Sequence, residues 1–160
     1  MPIGRFLCGI AALIWDPATD KYLLLRRADS KDFGAGAWEC PTGRVDQGES
    51  FTEAMHREVR EEIGAEVQIE FIIGTTHFYR GVEDPENELN GVIFGCSLAN
   101  MGEVSFGEEH SEMHWLTGDQ AYALLPEDHW LQDVIHRAEN LRRLLPQELR
   151  TEFRQKGLEI

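Results

Sequence analysis

Glu58, Glu61 and Glu62 lie three and four positions apart in the run Arg57-Glu58-Val59-Arg60-Glu61-Glu62-Ile63-Gly64. On a helix such spacings share one face, so the three carboxylates converge on a single patch. Like charges gathered in this way repel and cost free energy. A hard divalent cation with oxygen ligands removes that cost. The helix does not need these glutamates in order to fold, so the pattern predicts a bound metal beside them.

The surrounding residues predict the helix that must position them. Ser50, with Glu53 three residues on, reads as a capping box that opens a helix over residues 50–63. Phe51, Met55, Val59 and Ile63 recur every fourth residue as an apolar stripe for the core. Gly64 stands where a left-handed C-terminal cap is wanted. One face therefore packs, and the glutamates stand to its side. Upstream, Gly43 and Glu49 extend the pattern, with five residues between them and seven between Glu49 and Arg57.

With these positions together, the segment from Gly43 to Gly64 resembles the signature of the Nudix hydrolases, G-x5-E-x7-R-E-U-x-E-E-x-G-U, where U is a bulky aliphatic residue. Every fixed charged and glycine position is present. The final aliphatic position holds the smaller Ala65, and Pro41-Thr42-Gly43 replaces the more common Pro-Gly-Gly. Neither departure removes a ligand, although Thr42 could alter how the backbone approaches phosphate. The resemblance implies a metal-dependent hydrolase that cleaves a diphosphate linkage in a nucleoside diphosphate joined to some group X, with Mg²⁺ or Mn²⁺ as cofactor. It implies Glu61 and Glu62 as direct metal ligands, with the Gly43 carbonyl adding another. Glu58 is either a further ligand or the general base, and both arrangements stay open. Arg57 and Glu49 are implied as a pair that orients the helix against its preceding loop through the planar guanidinium fork.

Relatives often recruit one more acidic residue from far along the chain, and residues 107–112 are the place to look. Glu109, six residues before Trp115, is the choice for a late metal ligand, with Glu108 and Glu112 as competitors. His110 and His114 read as surface or supporting residues, since a hard cation prefers oxygen. Arg26 and Arg27 end an apolar strand and point to opposite faces. Arg27 is the choice for a contact to substrate phosphates. Trp38, Phe78, Tyr79 and Arg80 could stack on a base or sugar, with Trp38 and Tyr79 carried forward as binding candidates.

Length and charge agree with a soluble enzyme. The 160 residues suffice for one sizeable core, so 1–160 reads as a single domain. A formal net charge of -14 repels phosphate at long range, which argues against a nucleic-acid polymer or an anionic membrane as partner. A nucleotide substrate is also an anion, so bound metal and a few local arginines must reverse the field at the site. Residues 1–6 show no signal-peptide architecture, and no apolar run approaches a membrane span. Cys8, Cys40 and Cys96 are far apart and read as small buried hydrophobes of a reduced compartment, with the cytoplasm as expected location.

The element order is mixed. Apolar runs at 5–15 and 20–27 precede a loop at 30–36 and a short strand at 37–40 that ends at Pro41. After the helix come strands at 66–80 and 91–98, divided by an acidic loop at 81–90, and a last short strand at 113–116. The tail from Asp119 is helical in at least two pieces broken by Pro126 and Pro146, with Leu124, Leu125, Trp130, Val134, Ile135, Leu141, Leu144 and Leu145 as packing candidates. This order suggests an α/β/α sandwich on a mixed β-sheet, with a catalytic loop-helix-loop and a helical C-terminus, which is also the Nudix fold. The C-terminal helices could serve a homodimer.

The substrate is less legible. No coenzyme A signature precedes the box, and the proline of many ADP-ribose hydrolases has no counterpart before Pro85. The Arg26-Arg27 pair and the short chain favour nucleoside triphosphates, oxidised ones included. ADP-ribose or nucleotide-sugar pyrophosphatase, a non-catalytic nucleotide-binding regulator, and a diphosphate isomerase are the alternatives.

Overall fold

The computed structural model describes residues 4–31, 33–100 and 104–160. Residues 1–3, within the 1–6 stretch read above as showing no signal-peptide architecture, and Asp32 in the 30–36 loop lie outside the described residues. Among those described, the strands are β1 (Leu7–Asp16), β2 (Lys21–Arg27), β3 (Trp38–Glu39), β4 (Thr42–Arg44), β5 (Val67–Tyr79), β6 (Glu88–Leu98) and β7 (His110–Leu116). The helices are α1 (Phe51–Ile63), α2 (Gly118–Leu124), α3 (Trp130–Leu144) and α4 (Gln147–Lys156).

These strands form one mixed sheet. Its main path runs β3-β2-β1-β6-β5, with β4 added to β1 and β7 added to β2. The central β1 is antiparallel to β2 and β4 but parallel to β6. Alternation along β1 and β2 divides the core in two. Ile10, Ala12, Ile14, Leu23 and Leu25 pack against Ala54, Met55, Val59 and Ile63 of α1. Ala11, Leu13, Trp15, Tyr22 and Leu24 pack on the other face against Leu131, Val134, Ile135 and Ala138 of α3. This two-sided burial is the expected α/β/α sandwich. Leu13, Ile14, Leu23, Leu24 and Leu25 are fully buried, and each such side chain contributes about 1.5–3 kcal/mol relative to exposure.

Several element boundaries differ from expectation. The segment after Pro41 continues as β4, where Ile10 pairs with Gly43; three residues are too few for a readable periodicity. Strand β7 begins at His110 rather than 113, because its register with β2 extends to the Arg27–His110 pair. Strand β6 begins at Glu88, so the 81–90 loop is shorter than expected, and it is closed by bonds from Arg80 N–H to Asn87 O and from Asn87 N–H to Asp84 O, both 2.9 Å. The helical tail has three pieces. Its packing candidates divide accordingly: Leu125, Val134 and Ile135 are buried, whereas Leu124, Trp130 and Leu144 are exposed to solvent.

Helix α4 has no buried residues of its own. It is fastened instead by charge. Arg154 donates from Nε and Nη2 to the carboxylate of Glu70 on β5, both at 2.7 Å. Glu70 is completely buried and also accepts from Ser97 Oγ at 2.7 Å. Beyond α4, Leu158 packs against the α1-side core, and Glu159 accepts a hydrogen bond from Thr52 N–H at 3.1 Å, at the start of α1. A carboxylate there meets the positive end of the helix dipole. Among the described residues, no helix is long and apolar enough to cross a membrane.

Candidate active site

Helix α1 forms where the caps require. Ser50 Oγ accepts from Glu53 N–H at 3.2 Å, and the Glu53 carboxylate accepts from Ser50 N–H at 2.9 Å. Gly64 adopts φ +66°, a left-handed conformation that closes the helix by donating to Arg60 O at 3.0 Å. Its polar side borders a cleft of about 730 Å³ into which Gly43, Glu58, Glu61 and Glu62 all face.

Arg57 is the hub of this region. Its Nε and Nη2 donate to the two oxygens of Glu49 at 2.8 and 2.9 Å, the bidentate geometry expected of the pair. Nη1 donates to Glu58 at 2.8 Å and to Glu61 at 3.4 Å, and Nη2 also reaches Arg44 O at 2.9 Å. One side chain thus joins the loop, β4 and α1. The Arg57 guanidinium, helped by Asp46 N–H, lowers the Glu49 carboxyl to about 2.

Glu62 stands in a different environment. Its Oε1 accepts from Thr42 N–H at 3.3 Å, so the Thr42 variation leaves a backbone donor aimed at the site. Its Oε2 is buried and has no hydrogen-bond partner among the described residues. Burial, followed by the neighbouring Glu39 carboxylate, pushes Glu62 up to about 9 against the opposing Thr42 bond. An oxygen left without a partner in this way calls for a proton or a cation.

The donor set fits a hard divalent metal. All candidate side-chain ligands are carboxylates, Glu62 Oε2 is buried without a partner, and Gly43 presents no side chain where the Glu58 carboxyl lies. A Cβ on Gly43 would overlap Glu58. Among the described residues no group of three His, Cys, Asp or Glu is already gathered for a metal, because Arg57 draws Glu58 and Glu61 to itself.

Beside Glu62 runs a buried polar chain. Arg27 Nη1 donates to both oxygens of Glu39 at 3.0 and 3.2 Å. His110 Nε2 lies 3.0 Å from Glu39 and 3.8 Å from Glu62 Oε2. Glu39 was not among the sequence candidates, and His110 was read as a surface or supporting residue, whereas its side chain is 1 % exposed. Strand alternation holds the missed signal: Trp38 and Cys40 pack towards the α3 side, so Glu39 between them must face the cleft.

The remaining candidates separate by the same parity. Arg27 lines the cleft but is held by Glu39 and by Phe33 O, while Arg26 turns away to Glu112 at 2.8 Å. Of the three late acids, Glu109 borders the cleft, paired with Lys31 at 2.9 Å, which lowers its carboxyl. Glu112 lies on β7 between Arg26 and His114. Trp38 and Tyr79 do not line the cleft. Trp38 packs against the α3-side core and edge-on to His114, and Tyr79 sits edge-on to His77. Their strand neighbours Glu39 and Phe78 take the inward positions, joined by Phe33, Arg80 and Trp130.

A family model described as NUDIX domain matches residues 7–138. Nucleoside triphosphatase NudI of Escherichia coli O139:H28 is 32% identical over 102 residues, covering 59% of this chain and 72% of that protein. The MutT protein from Methanosarcina mazei Go1 superimposes with a TM-score of 0.71 at 26% identity, over 89% of this chain and 99% of that one. An Ap4A hydrolase from C. elegans shares the fold, with a TM-score of 0.68 at 19% identity over 87% of this chain and 99% of that one.

Proposed function

The chain belongs to the NUDIX family of hydrolases, and from that premise we propose that it is a Mg²⁺- or Mn²⁺-dependent pyrophosphohydrolase of nucleoside triphosphates, oxidised ones included. NUDIX hydrolases generally use divalent metals. The single observation that carries the metal reading is the buried, unpartnered Glu62 Oε2 beside Glu58 and Glu61. Glu61, Glu62 and the Gly43 carbonyl would hold the cation, with Glu109 as a further carboxylate on the same cleft. When bound, the metal neutralises the phosphate oxygens and promotes formation of the attacking hydroxide from water.

The protein's own residues do the rest. Arg57 fixes the Glu58 carboxylate towards the cleft, and Glu49 fixes Arg57. Phosphoryl transfer needs mainly position and charge stabilisation, so a rigid carboxylate array with few other groups is sufficient. The triphosphatase activity in the name of the NudI relative supports triphosphates over the ADP-ribose and nucleotide-sugar alternatives. Cys40 and Cys96, buried and free, agree with a reducing compartment such as the cytoplasm.

The test is turnover of canonical and oxidised (d)NTPs, ADP-ribose, nucleotide sugars and dinucleoside polyphosphates, with Mg²⁺, with Mn²⁺ and with EDTA, products being identified by mass. Triphosphate cleavage that EDTA and Glu61→Gln both abolish, with the fold of the variant intact, is the expected result. Wild-type-like turnover by Glu61→Gln would sink the ligand assignment.

A further inference from the structure

Phe33, Phe78 and Trp130 are 43%, 39% and 42% exposed, and all three line the cleft that carries the acidic residues. Large aromatic rings left this open to water at a cavity wall are suited to receiving another flat apolar surface. They come from three separate parts of the chain: the loop before β3, the end of β5 and the first turn of α3. Arg80 joins them, its guanidinium 5.7 Å from the centre of the Phe33 ring. Stacking of this kind accepts any nucleobase, since every base has a π face.

The polar groups of this region add a preference. Arg80 offers only donors, and so does the Trp130 indole N–H. The carboxylates nearest the Phe33 loop are already engaged: Glu39 by Arg27, whose Nε also holds Phe33 O at 3.0 Å, and Glu109 by Lys31 at 2.9 Å. Among the described lining side chains, Thr76 beside the aromatic rings has a hydroxyl that accepts as well as donates, while Glu39, Glu109 and His110, acceptors outside the box, lie towards Glu62. A base edge rich in acceptors is satisfied by such a wall, whereas an exocyclic amino group turned towards Arg80 meets only donors there.

We propose that Phe33, Phe78 and Trp130 form a base-stacking subsite in which Arg80 selects keto bases, guanine and uracil or thymine, over the amino bases adenine and cytosine. The assignment rests on the hydrolase reading of the same cleft and names the substrate class that reading leaves open. Guanine presents O6 and N7, and thymine and uracil present O4, as acceptors for a guanidinium, while cytosine presents an amino donor at the corresponding edge. An unmatched donor facing Arg80 loses its water without gaining a bond.

Two measurements on the full chain test this together. The first is kcat/KM for GTP, UTP, ATP and CTP with Mg²⁺, for the wild type, Arg80→Met, Phe78→Ala and Trp130→Ala. The second is binding of the non-hydrolysable α,β-methylene analogues of GTP and ATP. GTP and UTP are expected to exceed ATP and CTP by about tenfold or more. Arg80→Met should bring that ratio towards one, and Phe78→Ala and Trp130→Ala should raise KM for all four bases. Equal turnover of the four by the wild type, or a ratio unchanged in Arg80→Met, would overturn the subsite while leaving the hydrolase reading standing. Tighter binding of the guanosine analogue, lost in Arg80→Met and unaccompanied by any turnover, would uphold the subsite and overturn the hydrolase reading.

Discussion

Gly43→Ala separates the demands of catalysis from those of folding. Gly43 lies on β4 and is not among the glycines with positive φ, so alanine meets no backbone strain there. The obstacle is Glu58, whose Cγ, Cδ and Oε1 occupy the place a Cβ would take. Restoring ordinary carbon–carbon contact requires the Glu58 carboxyl to withdraw by roughly 1.5 Å. Withdrawal breaks the 2.8 Å bond from Arg57 Nη1. That pair is partly solvated, so its loss costs about 1 kcal/mol, or about 2–4 °C in melting temperature for a chain of this length. The catalytic loss is larger, because a misplacement of about 1 Å at a reacting group lowers rate on the order of 100-fold. The assay is a thermal melt paired with kcat/KM on the same preparation. Near-wild-type turnover would refute the claim that the position of Glu58 matters. A stability loss of about 4 kcal/mol or more would show that Glu58 cannot move aside, contrary to its place at the end of a flexible side chain.

Other expectations follow from the buried charges. Removing Arg154 leaves Glu70 buried with, among the described residues, Ser97 and the more distant Arg150, 3.9 Å away, as partners. Breaking a buried pair costs about 3–5 kcal/mol; since Arg154 is itself partly exposed, Arg154→Ala should cost about 2–3 kcal/mol and free α4 to hydrogen exchange first. An unchanged melt would show that α4 is held by something else. Glu62, raised to about 9 in the fold, keeps a proton that the unfolded chain releases near 4.5. The protein without bound metal should therefore lose stability as pH climbs through that window, since the folded state then binds more protons than the unfolded. A divalent cation displaces the proton, so the gain in melting temperature on adding Mg²⁺ should grow with pH, and calorimetry in two buffers should register release of about one proton at neutral pH. A pH-independent gain with no proton release would contradict this.

Legibility in the sequence followed the length of each element. Helix α1 declared itself because 13 residues carry a full apolar period and both caps, and its glutamates came with it. Glu39 did not, because in a two-residue strand the alternation shows only once Trp38 and Cys40 are seen packing on the α3 side, and Trp38 beside it attracted the binding role instead. Tyr79 was preferred to Phe78 for want of the strand's parity, which only the β5–β6 register supplies. Glu112 remained a competitor to Glu109 in sequence because the start of β7 at His110, which places Glu112 against Arg26, is set by the pairing with β2. Glu70 gave no local sign at all: its partner Arg154 lies 84 residues away. Pairings of that kind are set by tertiary packing, which composition and spacing do not record.

The position of Arg57 has a consequence for how the protein tolerates losing its cofactor. In a zinc finger the ion is the core, and chelation dissolves the fold. Here a guanidinium built into α1 already offsets part of the charge of Glu58 and Glu61, and neither core cluster includes any of the three glutamates. The helix carries its own resident counterion. Withdrawal of the divalent cation should silence such a molecule without dismantling it, and resupply should restart it from a scaffold that never had to refold.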